Sequence, residues 1–244
     1  MSLSIRRWIP VLLVWAFSLP AVGITYAGYY DCTGDRNTYL VVSDVSGLQE
    51  LTPITVRLFD RDGVERAVET LDLTTYESEV LILGELAGDA GSNAWGLVQV
   101  ECETLLHLAS WIRDASGWIA VNHVTRPSYE AEELGYTHYW HGIGFANTPS
   151  RKTGILLVNP SADEVEGDFR FFDSHGTQLE AFTFTLSPFA STYQPTDYLL
   201  EESSDAWGLV DVRVSSPIAL VAEFYDADGE LIDIDLESTY YFAR

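Results

Sequence analysis

Four turns rich in aspartate and glycine are the first places in this sequence where side chains could do chemistry. A calcium loop also begins with carboxylates two residues apart before a glycine, but a full loop needs further oxygen ligands and a closing glutamate. None of the four turns continues in that way, and hairpin turns use the same residue types. Hairpin turns are therefore predicted, with a calcium-dependent adhesin as an alternative that would use Asp60, Asp62, Asp226 and Asp228. The turns are Asp60-Arg61-Asp62-Gly63, Asp114-Ala115-Ser116-Gly117, Asp173-Ser174-His175-Gly176 and Asp226-Ala227-Asp228-Gly229.

His138 and His141 are a second candidate for metal binding. Positions three apart on a strand face opposite sides, whereas two ligands of one ion prefer a spacing of two, so a structural role is favoured. The sequence has no Gly-x-Ser-x-Gly elbow and no glycine-rich phosphate loop, and with 37 acidic residues a nominated pair of catalytic acids would be uninformative. We therefore predict no catalytic residue and no cofactor.

The tryptophans that lack a tryptophan at the matched position of a second, related stretch are the candidates for partner binding. Trp111 aligns with Glu223, and Trp118 aligns with Glu230. A position that accepts glutamate in the related stretch is expected to be exposed. The sequence therefore predicts an exposed aromatic patch of Trp111, Trp118 and Trp140 that contacts a protein or a glycan at the cell surface.

The related stretches form an internal repeat. Trp95-Gly96-Leu97-Val98-Gln99-Val100 is matched 112 residues later by Trp207-Gly208-Leu209-Val210-Asp211-Val212, and the turns before them match as well. This spacing predicts a tandem duplication. Because Trp95 and Trp207 occupy matched positions just before a strand, they are interpreted as core anchors of the two copies, with sugar-stacking platforms as the alternative.

A period of two in hydrophobicity runs through both copies and predicts strands with one face in a core. The fold class predicted is all-β, with two tandem antiparallel Ig-like β-sandwich domains related by internal duplication. The predicted units are a first sandwich over residues 28–126, a linker over 127–135 and a second sandwich over 136–244. In the second copy, strands are predicted near 138–146, 153–159, 166–173, 178–186, 190–195, 207–214, 218–226 and 230–237.

The N-terminus predicts export. Arg6 and Arg7 precede an apolar run, and Thr25-Tyr26-Ala27 offers a cleavage site before Gly28, so residues 1–27 are interpreted as a secretory signal peptide. An uncleaved anchor is the competing interpretation, but the run is short and proline interrupts it. The sequence thus predicts a secreted or periplasmic bacterial protein with no membrane span after cleavage.

The net charge of −24 bears on partners. A surface this acidic repels phosphate backbones, so nucleic acid is not expected as a partner. Oligomerisation is left open. Cys32 and Cys102 both follow the leader and are expected to point inward on different strands of one domain, which predicts a disulfide between them. In the chain-entropy model such a bridge stabilises the first domain by about 4 kcal/mol.

The second copy resembles a recurrent bacterial β-sandwich repeat, and its layout is similar to that of the sensory rhodopsin transducer family. The resemblance rests on Leu157-Val158-Asn159-Pro160-Ser161, Phe172-Asp173-Ser174-His175-Gly176, Leu186-Ser187-Pro188, Trp207-Gly208-Leu209-Val210-Asp211-Val212 and Ser215-Ser216-Pro217-Ile218. It implies a small β-sandwich that oligomerises and binds partners without catalysis. The first copy departs from the pattern, with Ser43-Asp44-Val45 where Asn-Pro would stand. From the sequence we expect an exported, non-catalytic interaction or structural protein, with a carbohydrate-binding module and an accessory domain of a secreted hydrolase as alternatives.

Overall fold

The computed structural model describes residues 23–46, 49–88, 94–115, 117–123, 138–200, 205–236 and 240–243, with the backbone alone at 118–123, 138–141, 235–236 and 240–243. Over these residues the protein is all-β, with four antiparallel sheets and two single-turn helices, which confirms the predicted fold class. None of the helices in this part of the chain is long and apolar enough to cross a membrane. The predicted linker and residues 1–22 lie outside the described residues.

The first half of the chain forms two four-stranded sheets. Sheet A has the strand order β1-β6-β3-β4, and sheet B has the order β5-β2-β7-β8. The elements are β1 (Ile24–Asp31), β2 (Asn37–Asp44), β3 (Leu51–Asp60), β4 (Glu65–Thr74), β5 (Ser78–Ile82), α1 (Leu83–Leu86), β6 (Trp95–Cys102), β7 (Leu106–Asp114) and β8 (Gly117–His123).

The second half repeats this strand order. Sheet C has the order β12-β11-β14-β9-β17, and sheet D has the order β13-β10-β15-β16. The elements are β9 (His138–Asn147), β10 (Arg151–Val158), β11 (Val165–Asp173), β12 (Gln178–Leu186), β13 (Ser191–Pro195), α2 (Thr196–Leu199), β14 (Ala206–Val214), β15 (Ala219–Asp226), β16 (Leu231–Leu236) and β17 (Tyr240–Ala243). All eight predicted strands are present within one or two residues, and β17 is an additional strand that pairs with β9. The origin of the two halves by duplication stays a prediction.

Each half has its own core between its two sheets, and a third apolar cluster joins the halves. In β10, for example, Ile155 and Leu157 point into the core of the second sandwich, whereas Leu156 and Val158 point into the third cluster. The third cluster lies between the outer faces of sheets A and D, and Ile112 of β7 in sheet B adds to it. Its fully or largely buried members are Ala27, Tyr29, Phe59, Leu97, Ile112, Leu156, Val158, Ala219, Val221 and Ile234.

Specific contacts fix the two sandwiches against each other. The rings of Phe59 and Phe189 stack with centroids 4.5 Å apart and planes 14° apart. The Ser191 N–H donates to the Arg61 carbonyl at 2.9 Å, and the Gln99 side-chain amide donates to the Pro160 carbonyl at 3.1 Å. Strands such as β10 are therefore apolar on both faces because one face packs in the core of its own sandwich and the other packs against the second sandwich.

The Trp-Gly pair of each copy has a steric explanation. A Cβ added at Gly96 would lie 2.4 Å from the Phe59 carbonyl oxygen, and one at Gly208 would lie 2.1 Å from the Phe172 carbonyl oxygen. In both sandwiches the backbone of the neighbouring strand passes over the glycine at the end of its hairpin. Glycine is required at these two positions by close approach of two backbones.

The predicted disulfide between Cys32 and Cys102 is wrong in this structure, where both thiols are free and buried. The strand register explains why. The Cys102 position pairs with Ile24 at the start of β1, whereas the Cys32 N–H bonds to the Ala94 carbonyl beyond the other end of that strand. At ~3.4 Å per residue the two cysteines are about 27 Å apart, and a disulfide needs Cα atoms within about 7 Å. Burial raises the pKa of the Cys32 thiol to about 11.

The first strand also extends into the predicted leader. β1 begins at Ile24, four residues before the predicted cleavage point, and its whole length pairs with β6. Tyr26 is buried in the first core, and its hydroxyl accepts a hydrogen bond from the Leu106 N–H at 2.9 Å. In this structure the first sandwich therefore includes residues 24–27, and cleavage before Gly28 would remove half of β1.

Candidate functional site

A cavity of about 620 Å³ that is open to solvent lies at the edge of the contact between sheets A and D. Polar and aromatic side chains line it, although the surrounding contact is apolar. A polar cavity at the junction of two domains is a frequent location for a ligand site. Its lining residues are Tyr29, Asp31, Thr33, Arg36, Arg61, Asp62, Trp95, Leu156, Ser191, Thr192, Tyr193, Glu223 and Tyr225.

The alternation of the strands brings these side chains to the cavity. On β15, Ala219 and Val221 pack in the third cluster, so the same face of the strand continues with Glu223 and Tyr225. On β1, Tyr29 packs in the third cluster and Asp31 follows two residues later on the same face. Each strand thus enters the contact with apolar residues and ends at the cavity with polar ones.

Glu223 is the centre of the hydrogen-bond network. Its side chain belongs to the second sandwich and is only 3% exposed. The Tyr29 hydroxyl, from the first sandwich, donates to Glu223 Oε1 at 3.1 Å, and the Tyr225 hydroxyl donates to Glu223 Oε2. A buried carboxylate is costly unless hydrogen bonds satisfy it, so these two tyrosines offset part of that cost. The network also ties the two sandwiches together through a polar contact.

Asp31 forms a second buried group at the wall of the cavity. Its carboxylate is 1% exposed and accepts hydrogen bonds from the Thr33 N–H at 2.8 Å and from the Thr33 hydroxyl at 2.6 Å. Arg36 Nη1 donates to the other carboxylate oxygen at 2.7 Å and forms a salt bridge with it. Asp31 and Arg36 therefore neutralise each other.

Burial dominates the protonation behaviour of the network. It raises the pKa of Glu223, and the hydrogen bonds from Tyr225 and Tyr29 and the charge of Arg36 oppose that shift. Burial also raises the pKa of Tyr29 and of Tyr225, and the nearby charge of Glu223 adds to both shifts. For Arg36, burial alone would lower the pKa, but the hydrogen bond and the charge of Asp31 raise it above its ordinary value. The tyrosines are therefore hydrogen-bond donors at neutral pH.

Of the three tryptophans in the predicted aromatic patch, the structure describes the side chain of Trp111. Trp111 lies on β7 and is partly buried, and its aligned residue, Glu223, is fully buried. The inference that a position accepting glutamate must be exposed is therefore wrong for this pair. Trp118 lies in β8 and Trp140 in β9, but their side chains lie outside the described residues.

The two matched tryptophans differ from each other. Trp95 packs against the third cluster beside Tyr29, with ring centroids 6.4 Å apart, and it lines the cavity. Trp207 is 61% exposed on the outer face of sheet C, next to Leu209, which is 48% exposed. Neither is an anchor within the core of its own sandwich, which corrects the prediction for both.

The Asp-rich turns are hairpin turns held by their own aspartates. In three of them the first aspartate accepts hydrogen bonds from the N–H groups two and four residues later, and in the fourth Asp114 accepts one from the Gly117 N–H at 3.0 Å. These bonds join Asp60 to Asp62 and Val64 (2.9 and 3.0 Å), Asp173 to His175 and Thr177 (both 2.8 Å), and Asp226 to Asp228 and Glu230 (both 2.9 Å). The hydrogen bonds support the turn interpretation over the calcium loop.

The described part of the chain contains no cluster of metal-ligating side chains. Within it, no group of three or more His, Cys, Asp or Glu side chains could hold a metal ion. His138 and His141 both lie in β9, and their side chains lie outside the described residues.

The sequence contains one signal for the cavity, at Glu223. Glu223 directly follows Ile218-Ala219-Leu220-Val221-Ala222, a run that is apolar on both faces of a strand. The side chain of a single acid at the end of such a run either lies in solvent or is buried against a neighbouring sheet. Periodicity alone does not show which occurs, because burial on the second face depends on the other sandwich.

Comparison with known proteins adds little about this chain. No protein-family model matches it, and no curated protein matches it. Among solved structures, a β-glucuronidase from glycoside hydrolase family 2 aligns with 88% of this chain and 23% of that chain, at 7% identity and a TM-score of 0.17. A glycosyl hydrolase family 2 member from Bacteroides cellulosilyticus aligns with 89% and 28%, at 10% identity and a TM-score of 0.17. The exo-chitosanase of Amycolatopsis orientalis aligns with 92% and 26%, at 13% identity and a TM-score of 0.20. This chain spans about a quarter of the length of those enzymes, and TM-scores this low establish neither a shared fold nor a shared activity.

Replacing Glu223 with glutamine should make the stability difference from the wild type depend on pH. Because the pKa of Glu223 is raised in the folded state, the folded chain holds this proton more tightly than the unfolded chain does. Protonation of Glu223 therefore stabilises the folded chain. This stabilisation is fully present below about pH 4 and is lost as the pH rises through the raised pKa. Glutamine resembles the protonated form and does not titrate. The melting temperature of the wild type should therefore fall relative to that of Glu223→Gln as the pH rises from about 4 through the raised pKa of Glu223.

Glu180→Gln provides the control, since Glu180 is exposed on β12. Melting curves of this variant and the wild type should run in parallel over the same pH range. A difference between Glu223→Gln and the wild type that stays constant with pH would contradict the assigned burial of the Glu223 charge.

Proposed function

We propose that this chain is an exported, non-catalytic binding protein that captures a small polar ligand in the cavity between its two sandwiches. The observation that carries the proposal is a polar cavity at the edge of an otherwise apolar contact, with Glu223 buried at its wall. Apolar side chains would fill this contact more favourably than a buried carboxylate does, so a purely structural contact gives no reason for the network.

The hydrogen bonds of the network support binding over catalysis. Both oxygens of Glu223 accept tyrosine hydroxyls, and both oxygens of Asp31 accept donors from their own sandwich. Groups held in this way present a fixed shape and a fixed polarity to a ligand. Fixed polar groups lower the ordering cost of binding, which is the property a binding site needs.

A thermal-shift screen of small polar compounds tests this function. At least one chemical class should raise the melting temperature in a saturable way, because a ligand that binds only the folded state stabilises it. At a concentration of about a hundred times Kd, the gain is about 2.7 kcal/mol, or roughly 5 to 10 °C. The compound should be recovered unchanged after long incubation. Conversion of the compound would point to an enzyme, and a screen in which no class stabilises the chain would contradict the proposal.

Carbohydrate binding through sheet C is a second candidate, favoured by the exposure of Trp207. Trp207 is 61% exposed. It pairs with Ala146 on β9, and the neighbouring Leu209 pairs with Gly144, so no large side chain stands opposite either residue on that strand. An uncovered ring on a flat sheet can stack on the apolar face of a sugar.

For this candidate, Trp207→Ala should abolish quenching of tryptophan fluorescence by polysaccharides. The melting temperature should change little, since an exposed side chain contributes little to folding. Trp95→Phe is the matched control and should leave the quenching unchanged. Polysaccharides that do not quench the fluorescence of the wild-type chain would count against this candidate.

A further inference from the structure

One of the three carboxylates that line the cavity forms no salt bridge with a described residue. Arg36 pairs with Asp31 at 2.7 Å, and at the mouth Arg61 pairs with Asp62 at 3.8 Å. Among the described residues, no lysine, arginine or histidine forms a salt bridge with Glu223. The lining thus contains two arginines and three carboxylates, so one bound positive charge would balance it.

The directions of the hydrogen bonds make the wall of the cavity rich in acceptors. Tyr29 and Tyr225 both donate their hydroxyl protons to Glu223, so their oxygens can act only as acceptors for a ligand. Each Glu223 oxygen also keeps a lone pair, because a carboxylate accepts about four hydrogen bonds in all. A ligand with several N–H donors would form hydrogen bonds with these acceptor oxygens.

Ser191 gives an independent indication of a missing partner. Its hydroxyl is buried and has no hydrogen-bond partner among the described residues. Ser191 pairs with Val158 and Tyr193 with Leu156, so both face the contact between the sandwiches, and both line the cavity. Unsatisfied buried hydroxyls are rare and costly, and a bound donor would satisfy this one.

Aromatic rings complete the site. Tyr29 and Trp95 meet edge to face, with planes 60° apart, and Tyr193 and Tyr225 line the same cavity. Ring faces attract organic cations, whereas a bare divalent metal ion requires a shell of oxygen ligands. A volume of about 620 Å³ is in the usual range for a small organic molecule.

We propose that the cavity binds a small molecule through a protonated primary amine, with Glu223 as the counter-charge. The aromatic rings surround the carbon chain of the ligand, and the ammonium N–H groups bond to Glu223 and to the neighbouring hydroxyl oxygens. This ligand class rests on the binding function proposed above.

Isothermal titration calorimetry on the full chain at physiological salt tests the proposal. The probes are 1,4-diaminobutane, the uncharged 1,4-butanediol of the same length, and the neutral sugar cellobiose. The diamine should saturate one site per chain, and the diol and the sugar should give no binding. Glu223→Gln should weaken diamine binding by about tenfold or more, since it removes a buried charge partner.

Asp62→Lys is a second variant that leaves the buried network intact, because the Asp62 side chain is 72% exposed. It places a positive charge at the mouth of the cavity and should weaken diamine binding several-fold. Glu180→Gln and Glu180→Lys make the same changes of charge on an exposed strand and should leave the affinity unchanged.

The outcomes separate the ligand class from the function. Saturable binding of cellobiose without binding of the diamine, weakened by Glu223→Gln, would overturn the amine and leave the cavity as a binding site. Diamine binding that falls equally with Glu180→Lys would reflect the general negative charge of the chain and would overturn the site. If no probe binds and no compound of the screen stabilises the chain, both the ligand class and the function fail.

Discussion

The apolar contact between the outer faces of sheets A and D is the constraint on which the rest of the structure depends. It gives β1, β6, β10 and β15 apolar residues on both faces. Side chains such as Tyr29, Leu97 and Val221, which would meet water in an isolated sandwich, are therefore buried. Burying one large apolar side chain contributes about 1.5 to 3 kcal/mol, and this contact buries several. That gain is large enough to hold Asp31 and Glu223 away from water, provided that their oxygens are hydrogen-bonded. The cavity lies where the apolar residues of β1 and β15 give way to the polar residues Asp31, Glu223 and Tyr225.

The contact also makes the two halves inequivalent. It joins sheet A of one sandwich to sheet D of the other, so it uses different faces of two units that share one strand order. Such a heterologous contact covers sheet A and leaves the corresponding face of sheet C outside it. For this reason Trp95 is packed beside the cavity while Trp207 is exposed. For the same reason Glu223 is buried within the contact, whereas its aligned residue, Trp111, is partly buried in sheet B.

Much of the fold followed from periodicity, because a strand with one buried face alternates with period two whatever its partners are. The strands of the second copy were predicted within one or two residues from patterns such as Val210, Val212 and Val214. The turns followed from the capping chemistry of aspartate. The disulfide was mispredicted because parity shows which face Cys32 and Cys102 occupy but does not give their register along the paired strands. The cavity could not be predicted, since the burial of Glu223 depends on a contact between residues 194 positions apart.

Differential scanning calorimetry of the full chain tests most directly whether the two sandwiches form one unit around the buried network. If the contact between sheets A and D is as extensive as described, the chain should unfold in a single transition whose van't Hoff and calorimetric enthalpies agree. Two separate transitions, or a calorimetric enthalpy well above the van't Hoff value, would mean that the sandwiches unfold independently. That result would contradict the account, because neither half could then hold Glu223 buried against Tyr29.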